Sequence, residues 1–163
     1  MAAENLLSGA ITNRDATPRV ANSAQGGIVR KVWGYIEAAG GDAGSTYRFC
    51  SIPSNARAIS VEIATDDLGT GCTLNVGLYQ TTGNGGAVVD ADFFASAVDV
   101  ATAAVAITDI THESAVYGLE DYEKPLWEAL GLSADSHREY DVTAVSVSAA
   151  VTGTILVKVT YVV

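Results

Sequence analysis

Cations are what this chain lacks most. Lysine and arginine together number 9 against 19 acidic residues among 163, leaving a formal charge of −10. A protein that displaces counterions from a phosphate backbone needs clustered Lys and Arg, so the composition argues against a general nucleic-acid binder and predicts no nucleic-acid partner. Cysteine is nearly absent: Cys50 and Cys72 are the only 2, too few for a disulfide framework. On the first and third strands of a meander they would lie roughly two spacings of about 4.8 Å apart, beyond disulfide reach, so reduced and buried thiols are expected.

Histidine is equally rare. His112 and His137 have no Cys, His or acidic neighbour at a helical or hairpin spacing that favours a metal, so surface polar roles are expected of both. No G-x-S-x-G elbow occurs, and the glycine-rich stretches at 69–71 and 83–86 lack the Lys paired with Ser or Thr of a phosphate-binding loop. Asp66 with Asp67, or Asp90 with Asp92, offer oxygen ligands of the kind Ca²⁺ takes, but short Asp side chains serve turns and helix caps first. The reading therefore expects no catalytic residues, no metal and no cofactor. Long hydrophobic runs are missing too: the apolar stretch over 100–107 is closed by Asp109, and the chain does not open on a basic segment followed by an apolar core. Neither a membrane partner nor a secretory signal is expected.

What is present is alternation. Ile59, Val61 and Ile63 alternate with Ser60, Glu62 and Ala64, and Leu74, Val76 and Leu78 alternate with Asn75 and Gly77. A period of two marks strands with one buried face. Asp66, Asp67, Gly69 and Gly71 between them read as turn residues, which predicts a hairpin or meander. In residues 28–38, Val29, Trp33 and Tyr35 share one parity while Ile28, Val32 and Ile36 share the other, which predicts a central strand covered on both faces, with Trp33 in the core. Tyr47, Phe49 and Ser51 alternate with Arg48, Cys50 and Ile52 up to Pro53, which lacks an N–H and stops the ladder.

Residues 90–96 read as a short helical turn with an Asp N-cap and with Phe93 and Phe94 tucked under the sheet. A short helix is predicted over 125–130, with Pro125 at its first position and Gly131 as a left-handed C-terminal residue. Residues 140–163 read as two strands joined at Thr152 and Gly153. About seven to nine strands at this spacing describe an all-β, antiparallel β-sandwich, jelly-roll-like, over residues 28–163.

Residues 1–27 carry no aromatic side chain and cannot build a core. They read as an extended N-terminal arm that lies on a neighbouring subunit, with a frayed tail as the alternative. Leu6, Leu7, Ile11 and Val20 would be its anchors, and Arg14 and Arg19 would meet acidic surface. Residues 1–31 sum to +2 and the remainder to −12 of the total −10. Glu120, Asp121, Glu123 and Glu128 gather around the predicted helix as an acidic patch, read first as a solvated face, with steering of a cationic partner as the alternative.

Four strings matter together: IPSNAR at 52–57, VGLY at 76–79, VDADFFASA at 89–97 and KPLWEALG at 124–131. They resemble small structural proteins of tailed bacteriophages, of the capsid decoration or cement kind, over most of the chain from Gly27 to Val163. The resemblance implies a noncatalytic virion protein, a β-sandwich that assembles, often as a homotrimer, on the outer surface of an icosahedral capsid. It implies partnership with the major capsid protein, whose subunits it bridges against the pressure of packaged DNA. Tyr117, Tyr122 and Trp127 are candidate interface anchors, since aromatic residues are enriched in hot spots. A carbohydrate- or receptor-binding module of a tail or spike is the alternative, and would need exposed aromatics beside Asp and Asn at one loop end.

Overall fold

A computed structural model describes residues 27–101 and 104–163. Eight strands run in order: β1 (Val29–Gly41), β2 (Thr46–Pro53), β3 (Arg57–Thr65), β4 (Thr73–Gln80), β5 (Val88–Asp99), β6 (Val105–Asp109), β7 (Glu139–Ser146) and β8 (Val151–Val162). One short helix, α1 (Leu126–Ala129), and 3-10 turns at Thr82–Asn84 and Leu119–Asp121 complete the described elements.

β1 pairs with β8, β2 with β7, β3 with β6 and β4 with β5, all antiparallel. These are the partners of one long hairpin folded at the β4–β5 connection. Its successive segments alternate between two layers, and the β3–β8 and β4–β7 ladders close each layer. The resulting sheets, ordered β1-β8-β3-β6 and β2-β7-β4-β5, form a jelly roll. The predicted all-β sandwich is the observed one. Ile59, Val61, Ile63, Ile155, Val157 and Val159 line the inner side of the first sheet, facing Leu74, Val76, Leu78, Val142 and Ala144 of the second, all buried.

Several local expectations are corrected. β3 and β4 do not form a hairpin, because they lie in different sheets. The connection between them is pinned rather than tight: Leu68 is fully buried, the Thr152 N–H bonds to its carbonyl, and the Cys72 thiol bonds to Leu68 and Ala150 carbonyls at 3.2 and 2.9 Å. Residues 90–96 belong to β5 and not to a helix, although Phe93 and Phe94 are both buried as expected. Thr152 and Gly153 lie inside β8, and β7 crosses to β8 through residues 147–150. Gly153 takes φ +127 where Leu68 packs against it, so its conformational freedom serves a close approach within a strand.

β1 is an edge strand and not a central one. Its burial alternates, with Val32, Gly34, Ile36 and Ala38 directed inward and Val29, Lys31, Trp33, Tyr35 and Glu37 exposed. Trp33 is therefore a surface residue. A helix forms within the predicted span but over 126–129, with Pro125 outside its first turn, and it is held from outside: the Leu126 and Trp127 N–H groups bond to the Ala56 and Ser54 carbonyls at 2.8 and 2.9 Å, which satisfies donors that a helix start leaves open. Pro125 precedes the helix as its N-cap, and Gly131 follows with φ +71. Among the described residues no helix is long and apolar enough to cross a membrane. The predicted arm, with Leu6, Leu7, Ile11, Arg14, Arg19 and Val20, lies outside the described residues.

Candidate interaction surface

The outer face of the β1-β8-β3-β6 sheet is built in cross-strand rows. Lys31 stands beside Thr160 and Ser60, Trp33 beside Lys158 and Glu62, and Tyr35 beside Leu156 and Ala64. Lys158 forms an ion pair with Glu62, so the central charges neutralise each other within the face. The apolar side chains are left uncovered: Val29, Trp33 and Tyr35 are 66%, 65% and 73% exposed. Next to Tyr35 lies a shallow, open depression of about 190 Å³ lined by Ala64, Thr65, Asp66, Thr154 and Leu156. Large exposed rings on an open sheet face suit a broad partner surface better than a small ligand, which takes an enclosed pocket.

On the opposite outer face the polar groups of β2 and β7 bond among themselves, and Val88 of β5 is exposed. Arg48 bonds to the Asp141 carboxylate at 2.8 Å and to the Gln80 and Gly86 carbonyls at 2.7 Å each, while the Ser51 hydroxyl donates to Asp141 at 2.7 Å. The Arg48 guanidinium also stands 5.3 Å from the centre of the Tyr79 ring. Burial, and next the nearby Asp141 carboxylate, pushes the Cys50 thiol up to about 12. Cys50 is half-buried, Cys72 is buried, and both are free thiols.

The three aromatic candidates separate. Tyr117 is fully buried, so it is a core residue and not an exposed anchor. Its ring packs 5.5 and 5.7 Å from those of Phe93 and Phe94, and burial pushes its hydroxyl up to about 12. Tyr122 is exposed beside His112 and Trp127 is half-buried on α1, near Glu120, Glu123 and Glu128, which are exposed. Asp121 of that patch is paired with Lys124 at 2.6 Å.

His112 is half-buried rather than a surface residue: its ring stacks on Tyr117 and its Nδ1 lies 2.7 Å from the Tyr117 carbonyl. His137 is exposed, with Nδ1 3.3 Å from Asp135. Asp135 also accepts the Ser54 hydroxyl at 2.5 Å. The carboxylate thus sits between serine and imidazole, whereas nucleophilic catalysis needs the imidazole between serine and carboxylate to take the hydroxyl proton. Among the described residues no group of His, Cys, Asp and Glu is placed to hold a metal ion.

No protein-family model matches the sequence, and no curated protein does. Among solved structures, a chain of the cyanophage Pam1 capsid asymmetric unit shares the fold. The likeness has a TM-score of 0.56 at 20% identity and covers 85% of this chain and 86% of that one. At that identity the shared property is the jelly roll, carried almost end to end.

Trp33 and Tyr35 were hidden in the sequence by neighbours of the opposite parity, because Val32 and Ile36 make β1 look apolar on both sides. The signal that separates the two faces is Lys31 together with Glu37, charged side chains on either side of Trp33 and Tyr35 on their parity, against Arg30 alone near the start of the strand on the other, and charge inside a strand is a mark of an edge.

Proposed function

We propose that this chain is a noncatalytic virion structural protein that decorates the outer surface of an icosahedral phage capsid and stabilises it by bridging major capsid protein subunits. It is made and assembled in the host cytoplasm. The observation that carries this reading is the near full-length fold likeness to a chain of a phage capsid asymmetric unit, 85% of one chain on 86% of the other. Because one fold hosts many functions, the surface supplies the second support. Among the described residues its most exposed aromatics, Trp33 and Tyr35, lie mid-strand on a sheet face, and Tyr122, exposed in a loop beside Asp121, has that carboxylate already held by Lys124 and the Gly118 N–H.

A cement protein needs a rigid body and broad faces. Many modest contacts, repeated over a shell, then act together through high effective concentration. In this reading the arm over residues 1–27 reaches a neighbouring subunit, with its aliphatic side chains as anchors and Arg14 and Arg19 toward acidic surface. Cryo-electron microscopy of the source particle tests the assignment: density for this chain on the outside of the shell is expected, and density confined to a tail tip or fibre overturns it. Particles lacking the protein should lose their genome at lower temperature than complete ones.

A further inference from the structure

The open edge of β1 has a defined chemistry. Ile28 and Val163 exchange both backbone bonds, at 2.9 and 3.2 Å, and the β1–β8 register then continues unbroken from Val29 to Ala39. Antiparallel ladders alternate, so Arg30, Val32, Gly34 and Ile36 also direct their backbone groups to β8. The N–H and C=O groups of Lys31, Trp33, Tyr35 and Glu37 therefore point out of the sheet. Among the described residues no strand pairs with that side.

The other sheet edges are blunted. Ser114 and Tyr117 N–H groups bond to the Phe94 and Phe93 carbonyls of β5, and Glu113 accepts the Ser96 N–H. β6 is only 5 residues long, and β2 carries a register break between Arg48 and Cys50. β1, with 13 residues and a regular ladder through Ala39, is long and uncovered among the described residues, and its protection is limited to the exposed charges of Arg30, Lys31 and Glu37 and a register break after Ala39.

We propose that β1 pairs with β1 of a second copy of this chain, antiparallel across a two-fold axis at Gly34, joining two four-stranded sheets into one. The strand is complementary to itself in this register. Trp33 faces Tyr35 of the partner subunit, Lys31 faces Glu37 of the partner subunit, and the two-fold repeats both pairs. On the inner side Val32 meets Ile36 of the partner subunit. Shifting the axis to Trp33 places Lys31 against tyrosine and leaves Glu37 opposite valine, so the ionic and aromatic matches are both lost. Gly34 is also the residue at which β1 closes on β2 of its own chain: a Cβ there would lie 2.3 Å from the Phe49 carbonyl oxygen. The axis is thereby free of side-chain bulk. Lys31 has no ion-pair partner among the described residues, and Glu37 accepts only the Thr154 hydroxyl, at 2.8 Å.

This inference concerns self-association alone and stands whether or not the protein works on a capsid. Light scattering on the isolated full chain over a concentration series should show a reversible dimer. Amide exchange at Lys31, Trp33, Tyr35 and Glu37 should slow as the dimer forms. Glu37→Lys should weaken dimerisation at least about tenfold by opposing like charges, and Lys31→Glu in the same chain should restore it to within about threefold. That rescue separates the pairing from the loss of the Thr154 contact. A monomer at every concentration overturns the proposal, and so does a trimer, which a two-fold edge pair cannot make. A dimer whose four amides still exchange as in the monomer, or which ignores Glu37→Lys, overturns it as well.

Discussion

The two outer faces of the sandwich share one core and end in opposite ways. On the β2-β7-β4-β5 side, Arg48, Asp141 and Ser51 bond among themselves and to the Gln80 and Gly86 carbonyls, so the polar groups find their partners inside the chain. On the β1-β8-β3-β6 side, the Lys158–Glu62 pair holds the centre while Val29, Trp33 and Tyr35 stay uncovered. Apolar burial is worth about 25 cal/mol per Å² removed from water, and on this side that gain is reachable only by association. The difference teaches where to look for partners: fold and core treat the faces alike, and the unfinished one leaves its large aromatic rings uncovered.

Substitutions can test that division from the inside outward. The largest effect should come from the core beneath both faces. Phe94 is fully buried against Phe93 and Tyr117, so Phe94→Ala should lower the unfolding free energy by about 3–5 kcal/mol in urea titrations. Breaking the finished face should be the next largest. Arg48 and Asp141 side chains keep 29% and 15% of their exposure, so solvent screens the pair, and Arg48→Ala should cost about 1–2 kcal/mol by the same measurement.

The unfinished face should scarcely register in folding. Trp33→Lys with Tyr35→Lys should change monomer stability by no more than about 0.5 kcal/mol per site while abolishing self-association in light scattering. A large loss of stability would mean that the rings are structural and that the contrast between the faces is false.

The smallest effect is in acid. The Ser54 hydroxyl and then the His137 N–H hold the Asp135 carboxyl below its ordinary value of 3.8. Thr154, through its side chain and its N–H, holds Asp66 low in the same way. A folded pKa below the unfolded one gives stability that is complete above the ordinary value and is lost as pH falls through the folded one. The urea midpoint should therefore decline as pH is taken below about 4, and Asp135→Asn should flatten that decline.

Local signals were legible in the sequence and layer assignments were not. The alternation over Ile59, Val61 and Ile63 and over Leu74, Val76 and Leu78 identifies the buried sides of β3 and β4, because a period of two fixes which side chains point inward. It says nothing of which sheet receives the strand, and a turn-rich connection such as 66–72 serves a crossing as well as a hairpin. Pro125 and Gly131 bracket α1 by backbone chemistry that acts within a few residues, so that helix could be read directly. Phe93 and Phe94 misled for a different reason. Adjacent side chains of a regular strand point to opposite faces, but β5 breaks register with β4 between Asp90 and Ala95, so the two rings lie 5.1 Å apart and both pack on Tyr117 from a later segment. Tyr117 looked like an anchor for the same reason: its cover comes from β5, which precedes it in the chain by about twenty residues.

β8 follows every other described strand and yet lies between β1 and β3. A ribosome that has released everything through β7 has supplied all four members of one sheet, while the other still lacks the strand that joins its parts. Translation therefore imposes a sequence on maturation. β1 gains its one paired neighbour among the described residues only after residues 151–162 have been made.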